Sequence, residues 1–377
     1  MPGKQRNQDK EKTHMAKDIQ FGNRVIGDDH PTYFIADIAA NHDGSLDRAI
    51  QLIHLAKEAG ADAAKFQNFQ AAKIVSDKGF RHLQSGGKQA HQATWKKSVF
   101  EIYSDYSISM DWTPILKQEC DKVGIDYFSS PYDFESVNHL DPYVDVYKVG
   151  SGDITWIEML EFIARKGKPV LLATGAASIA DVQRAVDAIL SINPQVVLMQ
   201  CNTNYTASLE NYAYVNLRVL DTYRAMYPQL VLGLSDHTFG LATTLGAVTL
   251  GGRVIEKHFT DDNAHEGPDH KFAMNPVTWR DMVDRTRELE RALGCGNKRV
   301  EGNERDSVVV QQRSLYCARD LAKGHVLSRS DIDVLRPAPV GAILPYDLDA
   351  LIGRQLGKEL KAGASIRWDD LAPRDNG

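Results

Sequence analysis

Eight short, almost unbroken apolar runs alternate with helical stretches between Tyr33 and about residue 261, and this alternation restricts the fold more than any other feature. The runs are 33–41, 63–67, 127–130, 144–150, 169–174, 196–201, 231–235 and 254–259. Strands buried on both faces read as continuous apolar runs, because neither face meets water. Between them Ser45 caps a helix with apolar positions Leu46, Ile50, Ile53, Leu55 and Ala56, ending at Gly60. Further helices are predicted over 157–166, 180–191 and 238–250, and one over 279–293 closes the set. Eight such βα units over about 230 residues predict an α/β fold, a (β/α)₈ TIM barrel. An open doubly wound sheet is the rival, but no GxGxxG turn follows any strand.

The flanks read differently. Residues 1–18 are charged, lack the apolar core of a signal peptide, and are expected to be a disordered tail. The barrel is assigned to 19–293, a linker to 294–306, and a small β-rich domain to 307–377. Segment 81–100, rich in Gln, His, Lys and Gly, is a long loop of the kind that forms lids. A net charge of −6 offers no broad basic field, so nucleic acid is not an expected partner. No apolar run approaches the roughly 18–20 residues that span a bilayer, so no membrane is expected. Cys120, Cys201, Cys295 and Cys317 form no paired motif, and reduced thiols in the cytoplasm are the expectation.

Chemistry gathers where the strands end, which in a barrel is the mouth that carries the active site. In order, the ends supply Asp37, Asn41 and His42; Lys65 and Gln67; Ser129 and Ser130; Lys148, Ser151 and Asp153; Thr174; Asn202, Thr203, Asn204 and Tyr205; Ser235, Asp236 and His237; and Glu256, Lys257 and His258. His237 and His258 end adjacent strands, so their imidazoles can converge on one divalent ion such as Mn, Fe, Co, Ni or Zn. Lys65 and Lys148 sit inside buried strands, where an ammonium needs an anion. Either Glu256 pairs with one of them, or they join Ser130, Ser151 and Ser235 in a cradle for phosphate and carboxylate. Asp269, in a turn-rich loop, is either a hydroxyl acceptor or a turn-stabilising residue. His54 and His139 fall in helices as packing or surface residues, and His14, His82 and His91 read as solvated.

These residues lie in stretches that resemble the sialic acid synthase family and its legionaminic and pseudaminic acid synthase relatives. The matching stretches are Ala40 to Gly44, Gly60 to Gln67, Tyr147 to Asp153, Gly167 to Val170, Leu234 to Thr238, Val254 to Thr260 and Gly267 to Asp269. The tail, from Arg313 through Arg336 to Leu371, resembles the antifreeze-like (SAF) domain appended to such synthases.

The resemblance implies condensation of phosphoenolpyruvate with an open-chain N-acetylhexosamine, N-acetylmannosamine first, giving a nine-carbon 3-deoxy-2-keto sugar acid and phosphate. A 2,4-diacetamido-trideoxyhexose is the alternative acceptor, and a carbohydrate-binding protein without catalysis the remote one. By the same carry-over His237 and His258 hold the metal, manganese first, with magnesium or cobalt as alternatives. Lys65, Ser130, Lys148, Ser151, Thr203 and Ser235 hold phosphoenolpyruvate. Gln67, Asp153, Tyr205 and Asp269 contact the sugar, joined by Arg336 from the partner of a domain-swapped homodimer. Asp37, Asp153, Lys65 and Lys148 are the implied catalytic set. Family members usually place Glu at positions 37 and 153 and often Ser at 173, where this chain has Asp37, Asp153 and Ala173.

Overall fold

The computed structural model describes residues 18–83 and 97–373, and eight parallel strands organise the first of its two units. A hairpin of β1 (Ile19–Phe21) and β2 (Arg24–Ile26) comes first. The barrel strands follow as β3 (Tyr33–Asp37), β4 (Ala63–Asn68), β5 (Asp126–Pro131), β6 (Tyr147–Val149), β7 (Val170–Ala173), β8 (Val196–Cys201), β9 (Val231–Asp236) and β10 (Gly252–His258). Except for β5 with β6, each pairs with its chain neighbour, and β10 pairs back onto β3. No backbone ladder joins β5 to β6, so the barrel is closed except for this seam.

Alternation along the strands sorts the side chains. Tyr33, Ile35, Ala63, Phe128, Leu171, Val197, Met199, Val231 and Val254 form an inner core. Phe34, Ala36, Ala64, Phe66, Leu172, Leu198, Leu232 and Ile255 pack instead in the layer shared with the helices. The hairpin, which the strand pattern did not announce, adds Ile19, Phe21 and Ile26 to the inner core. Phe21 meets Tyr33 and Phe128 edge-on at 5.4 and 6.0 Å. Gly233 is required in this interior, since a Cβ there would lie 2.5 Å from the Val254 carbonyl oxygen.

Several elements are shorter than the sequence pattern predicts. The first ends at Asp37, because Ala39 and Asp43 take positive φ and the backbone turns. The fourth begins at Tyr147, because only β7 offers it a ladder. The helix predicted from 238 begins at Ala242. Asp236 accepts from the Thr238 and Thr243 hydroxyls and Lys257 Nζ, while Lys257 also donates to the Thr238 carbonyl oxygen. That buried polar knot holds a turn where helix was expected. Segment 81–100 contributes to helices Asp77–His82 and Val99–Asp105, and its centre, 84–96, lies outside the described residues, as do 1–17 with His14. His91 falls in the same gap.

The second unit spans Cys295–Gly377. In it β11 (Ser314–Cys317) pairs antiparallel with β12 (Ile332–Leu335) around a core that includes Leu315, Leu327, Ile343 and Ile366. The other short β segments predicted there form single bridges, such as Leu321 with Leu360. Buried Asp331 ties it together, accepting from Arg319, His325 and Ser328. No helix among the described residues is long and apolar enough to cross a membrane.

Helix Pro276–Leu293 starts at an Asn275 cap and lays fully buried Trp279 edge-on to Phe259, 5.5 Å between centroids. Trp279→Ala is expected to cost roughly 3–5 kcal/mol, the scale of a large cavity. Urea unfolding checks this, with the midpoint falling at unchanged slope.

Candidate active site

Four charged side chains from β3, β4, β6 and β10 meet inside the barrel. Lys65 Nζ lies 2.7 Å from Asp37 Oδ2 and 3.5 Å from Glu256 Oε1, and Lys148 Nζ lies 3.2 Å from the same Glu256 oxygen. All four are at most 4% exposed. The sequence offered a pairing of one lysine with Glu256, and the structure brings both to it. Ser235 Oγ donates to Glu256 Oε1 at 3.0 Å, and Gln67 Nε2 donates to Asp37 Oδ2 at 3.1 Å. Ser130 Oγ and Glu256 Oε2 are buried with no hydrogen-bond partner. Orphaned polar atoms in such a place point to a bound group.

Burial alone would raise the Glu256 carboxyl, but Lys148 and then Lys65 outweigh it and hold it at about 2. Burial likewise opposes the Lys65 charge, and Asp37 and Glu256 overcome it, raising that ammonium above its ordinary value. Asp37 is raised, by burial first and against the pull of Lys65.

His237 and His258 stand beside this quartet, ring centroids 5.3 Å apart. His237 Nδ1 is 2.8 Å from the Asn202 carbonyl oxygen, which fixes Nδ1 as the protonated nitrogen and leaves Nε2 available. His258 Nε2 lies 3.8 Å from Asp37 Oδ2, and its Nδ1, 3.6 Å from Asp269 Oδ2, has no hydrogen bond. Burial pushes both imidazoles down, to about 4 and about 3, so both are neutral donors. No group of three or more His, Cys, Asp or Glu is gathered for a metal among the described residues. Two neutral imidazoles, with the His258 Nδ1 unpartnered, are the donors that could hold a divalent ion here.

A cavity of about 410 Å³ opens beside the histidines. Gln67, Ser151, Asp153, Thr203, Tyr205 and Asp269 line it, as does His258. Asp153 is lifted to about 6 and Asp269 to about 7, both by burial. Tyr205 packs on His237 at 4.2 Å, and Ser151 Oγ accepts from Gly175 N–H at 2.9 Å. After β3 the turn aims two backbone N–H groups at carboxylates, Ala39 at Asp37 and Ala40 at Asp269. Arg336 belongs to the C-terminal unit, where it is exposed and precedes a cis Arg336–Pro337 bond.

The strand-end reading missed Tyr132, one residue past β5, and Tyr103 and Tyr106, which also line the cavity. Tyr132 was within reach of the same rule; the other two sit on a loop helix that no periodicity ties to the mouth. His54 bonds Glu119, His139 lies 3.1 Å from the Met110 carbonyl oxygen, and His82 is exposed, all away from the cavity.

A model of the NeuB family matches residues 52–298 and a SAF domain model matches 312–372. The chain belongs to the NeuB family. An N,N'-diacetyllegionaminic acid synthase of Legionella pneumophila is 33% identical over 356 residues, 93% of this chain and 97% of that protein. The crystal structure of the spore coat polysaccharide biosynthesis protein SpsE of Bacillus subtilis superposes with TM-score 0.62 at 30% identity, covering 95% of this chain and all of that one. The N-acetylneuraminic acid (sialic acid) synthetase of Leptospira borgpetersenii, solved with citrate, gives TM-score 0.68 at 28% identity over 78% and 96%. This NeuB-family member is an enzyme of the synthase kind.

Because Glu256 titrates lower folded than unfolded, where it lies near about 4.3, it stabilises the fold above that pH. That contribution is lost as pH falls towards 2. Glu256→Gln is expected to cost roughly 3–5 kcal/mol at neutral pH, by stranding a lysine. It should also flatten the acid loss of stability, and Lys148→Met in the same chain should recover part of the cost. Urea unfolding across pH checks all three.

Proposed function

We propose that this NeuB-family enzyme condenses phosphoenolpyruvate with the open-chain aldehyde of an N-acetylhexosamine, yielding a nine-carbon 3-deoxy-2-keto sugar acid and phosphate. N-acetylmannosamine and a 2,4-diacetamido-trideoxyhexose are the candidate acceptors. The observation that carries the reading is the pair of neutral imidazoles set beside two buried lysines at one barrel mouth. The named synthases among its relatives support it.

Lys65 and Lys148, with Ser130, Ser151, Thr203 and Ser235, are assigned the carboxylate and phosphate of phosphoenolpyruvate. The orphaned Ser130 hydroxyl supports this, since it has a donor to give. Gln67, Asp153, Tyr205 and Asp269 are assigned the sugar, whose hydroxyl and amide hydrogens the two carboxylates accept. His237 and His258 would hold a divalent cation, manganese first and magnesium or cobalt after it, which would supply Lewis-acid polarisation of the aldehyde.

In the reaction C3 of phosphoenolpyruvate bonds to the aldehyde carbon and the aldehyde oxygen takes a proton. Water adds at C2, and the C2–O bond to phosphate breaks, releasing inorganic phosphate. Asp37, kept beside Lys65 and 3.8 Å from His258 Nε2, is placed to orient that water and take its proton. Asp is one methylene shorter than Glu, and the Gln67 amide steadies the shortened carboxylate. Asp153, at about 6, lies in the range where a carboxyl exchanges protons near neutrality.

The test is phosphate release from phosphoenolpyruvate with manganese, which must depend on an N-acetylated hexosamine; release with none of the sugars refutes the reading. His258→Ala should keep its melting temperature, lose manganese binding, and lower turnover roughly 10²–10³-fold, the scale of one lost electrophilic contact. We further assign Arg336 to the sugar site of a second copy in a domain-swapped homodimer. Arg336→Ala should be impaired in sugar use. Mixing it with His258→Ala should restore up to about a quarter of wild-type activity, since half the dimers are hybrids with one complete site each. Mixtures no more active than their parts would exclude the exchange.

A further inference from the structure

The cavity has two kinds of wall, and the residues assigned above occupy one of them. The other comes from three short helices in the connection after β4, Ala71–Ile74, Asp77–His82 and Val99–Asp105. It presents Ile74, Val75, Phe80 and Ile102 to the cavity. All four are only partly buried, so each keeps apolar surface to offer. Phe69 braces this side, 5.3 Å from Tyr103 and 5.9 Å from Tyr132 between ring centroids.

Charge is missing from the same place. No Lys or Arg lines the cavity among the described residues. On the nearby helices Lys73 is engaged with Glu135 and Arg81 with Asp77. The carboxyl groups that do line it, Asp153 and Asp269, offer an anion no counter-charge.

A sugar hydroxyl laid against Ile74, Val75, Phe80 and Ile102 gives up its water and finds no partner. A phosphate loses more still against these four side chains, none of which can pair with it. A methyl group, by contrast, leaves water for a surface that also gains by covering itself. Resting on the condensation proposed above, we infer that this wall selects the acceptor. It favours an unphosphorylated hexosamine that carries a methyl end in place of a hydroxyl over the fully hydroxylated N-acetylmannosamine. Phe80 and Ile102, one from each of the two longer helices, are the specificity-determining residues. In an apolar pocket one methylene discriminates by roughly 10–200-fold, and an added hydroxyl is rejected by about 10².

The full chain with manganese and phosphoenolpyruvate is assayed for phosphate release on three acceptors: N-acetylmannosamine, its 6-phosphate, and 2,4-diacetamido-2,4,6-trideoxymannose. The expected order of kcat/KM is trideoxy acceptor over N-acetylmannosamine by roughly 10–200-fold, with the 6-phosphate last. Phe80→Ser and Ile102→Thr should each narrow the first ratio by about tenfold, through KM for the trideoxy acceptor. A wild-type preference for N-acetylmannosamine or for the 6-phosphate overturns the inference, and needs no variant to fold. So does a ratio that neither variant moves. Phosphate release with none of the three acceptors refutes the condensation itself, whereas release in the wrong order refutes only the wall.

Discussion

The site is arranged around one carboxylate oxygen. Glu256 Oε1 receives Lys65, Lys148 and Ser235 at 3.5, 3.2 and 3.0 Å, and each comes from a different strand. Two cross-barrel contacts and one from the adjacent strand, all on one atom, fix the relative height of β4, β6 and β9 around β10. The arrangement also makes two buried ammoniums tolerable, since Asp37 takes the other side of Lys65. With both imidazoles neutral, the formal charges of this cluster cancel. On the proposed function, an anionic substrate entering it would draw on hydrogen-bond donors and a cation held by the histidines, rather than on surplus positive charge of the protein. That is the physical reason the two histidines and the two lysines belong to one reading.

Much of the barrel was legible in the sequence because parallel strands leave unbroken apolar runs. The same property hid which residues face inward, since both faces of each strand are apolar and no alternation shows. Glu256 and Lys257 are neighbours, yet one joins the interior quartet while the other pairs with Asp236 on the opposite face. Only register separates them. The β1–β2 hairpin was missed because strands of three residues carry too little pattern. Phe80 and Ile102 were missed because their helices are short and their apolar side chains face a cavity rather than a core.

Fold and chemistry reside in different parts of the chain. The strand interiors carry the charged quartet and the histidines, while helices of a single connection carry the apolar wall. Relatives near 30% identity include proteins named for different sugar acids. Such divergence is natural where loops on a rigid scaffold meet the variable part of a substrate. On the proposed function, the bond formed is set by the barrel, and the identity of the acceptor by what is hung on it.

The seam between β5 and β6 gives the barrel unequal stiffness. The strands carrying His237 and His258 are laced by backbone ladders on both sides. Ser130 and Lys148 instead sit on the two lips of the unlaced joint, where side chains such as Tyr132 against Gly150 bridge the gap. A split ring yields at its split. The mouth thus has an anvil on one side and a spring on the other, so on the proposed function the residues assigned to the departing phosphate can give way without loosening those assigned to the aldehyde.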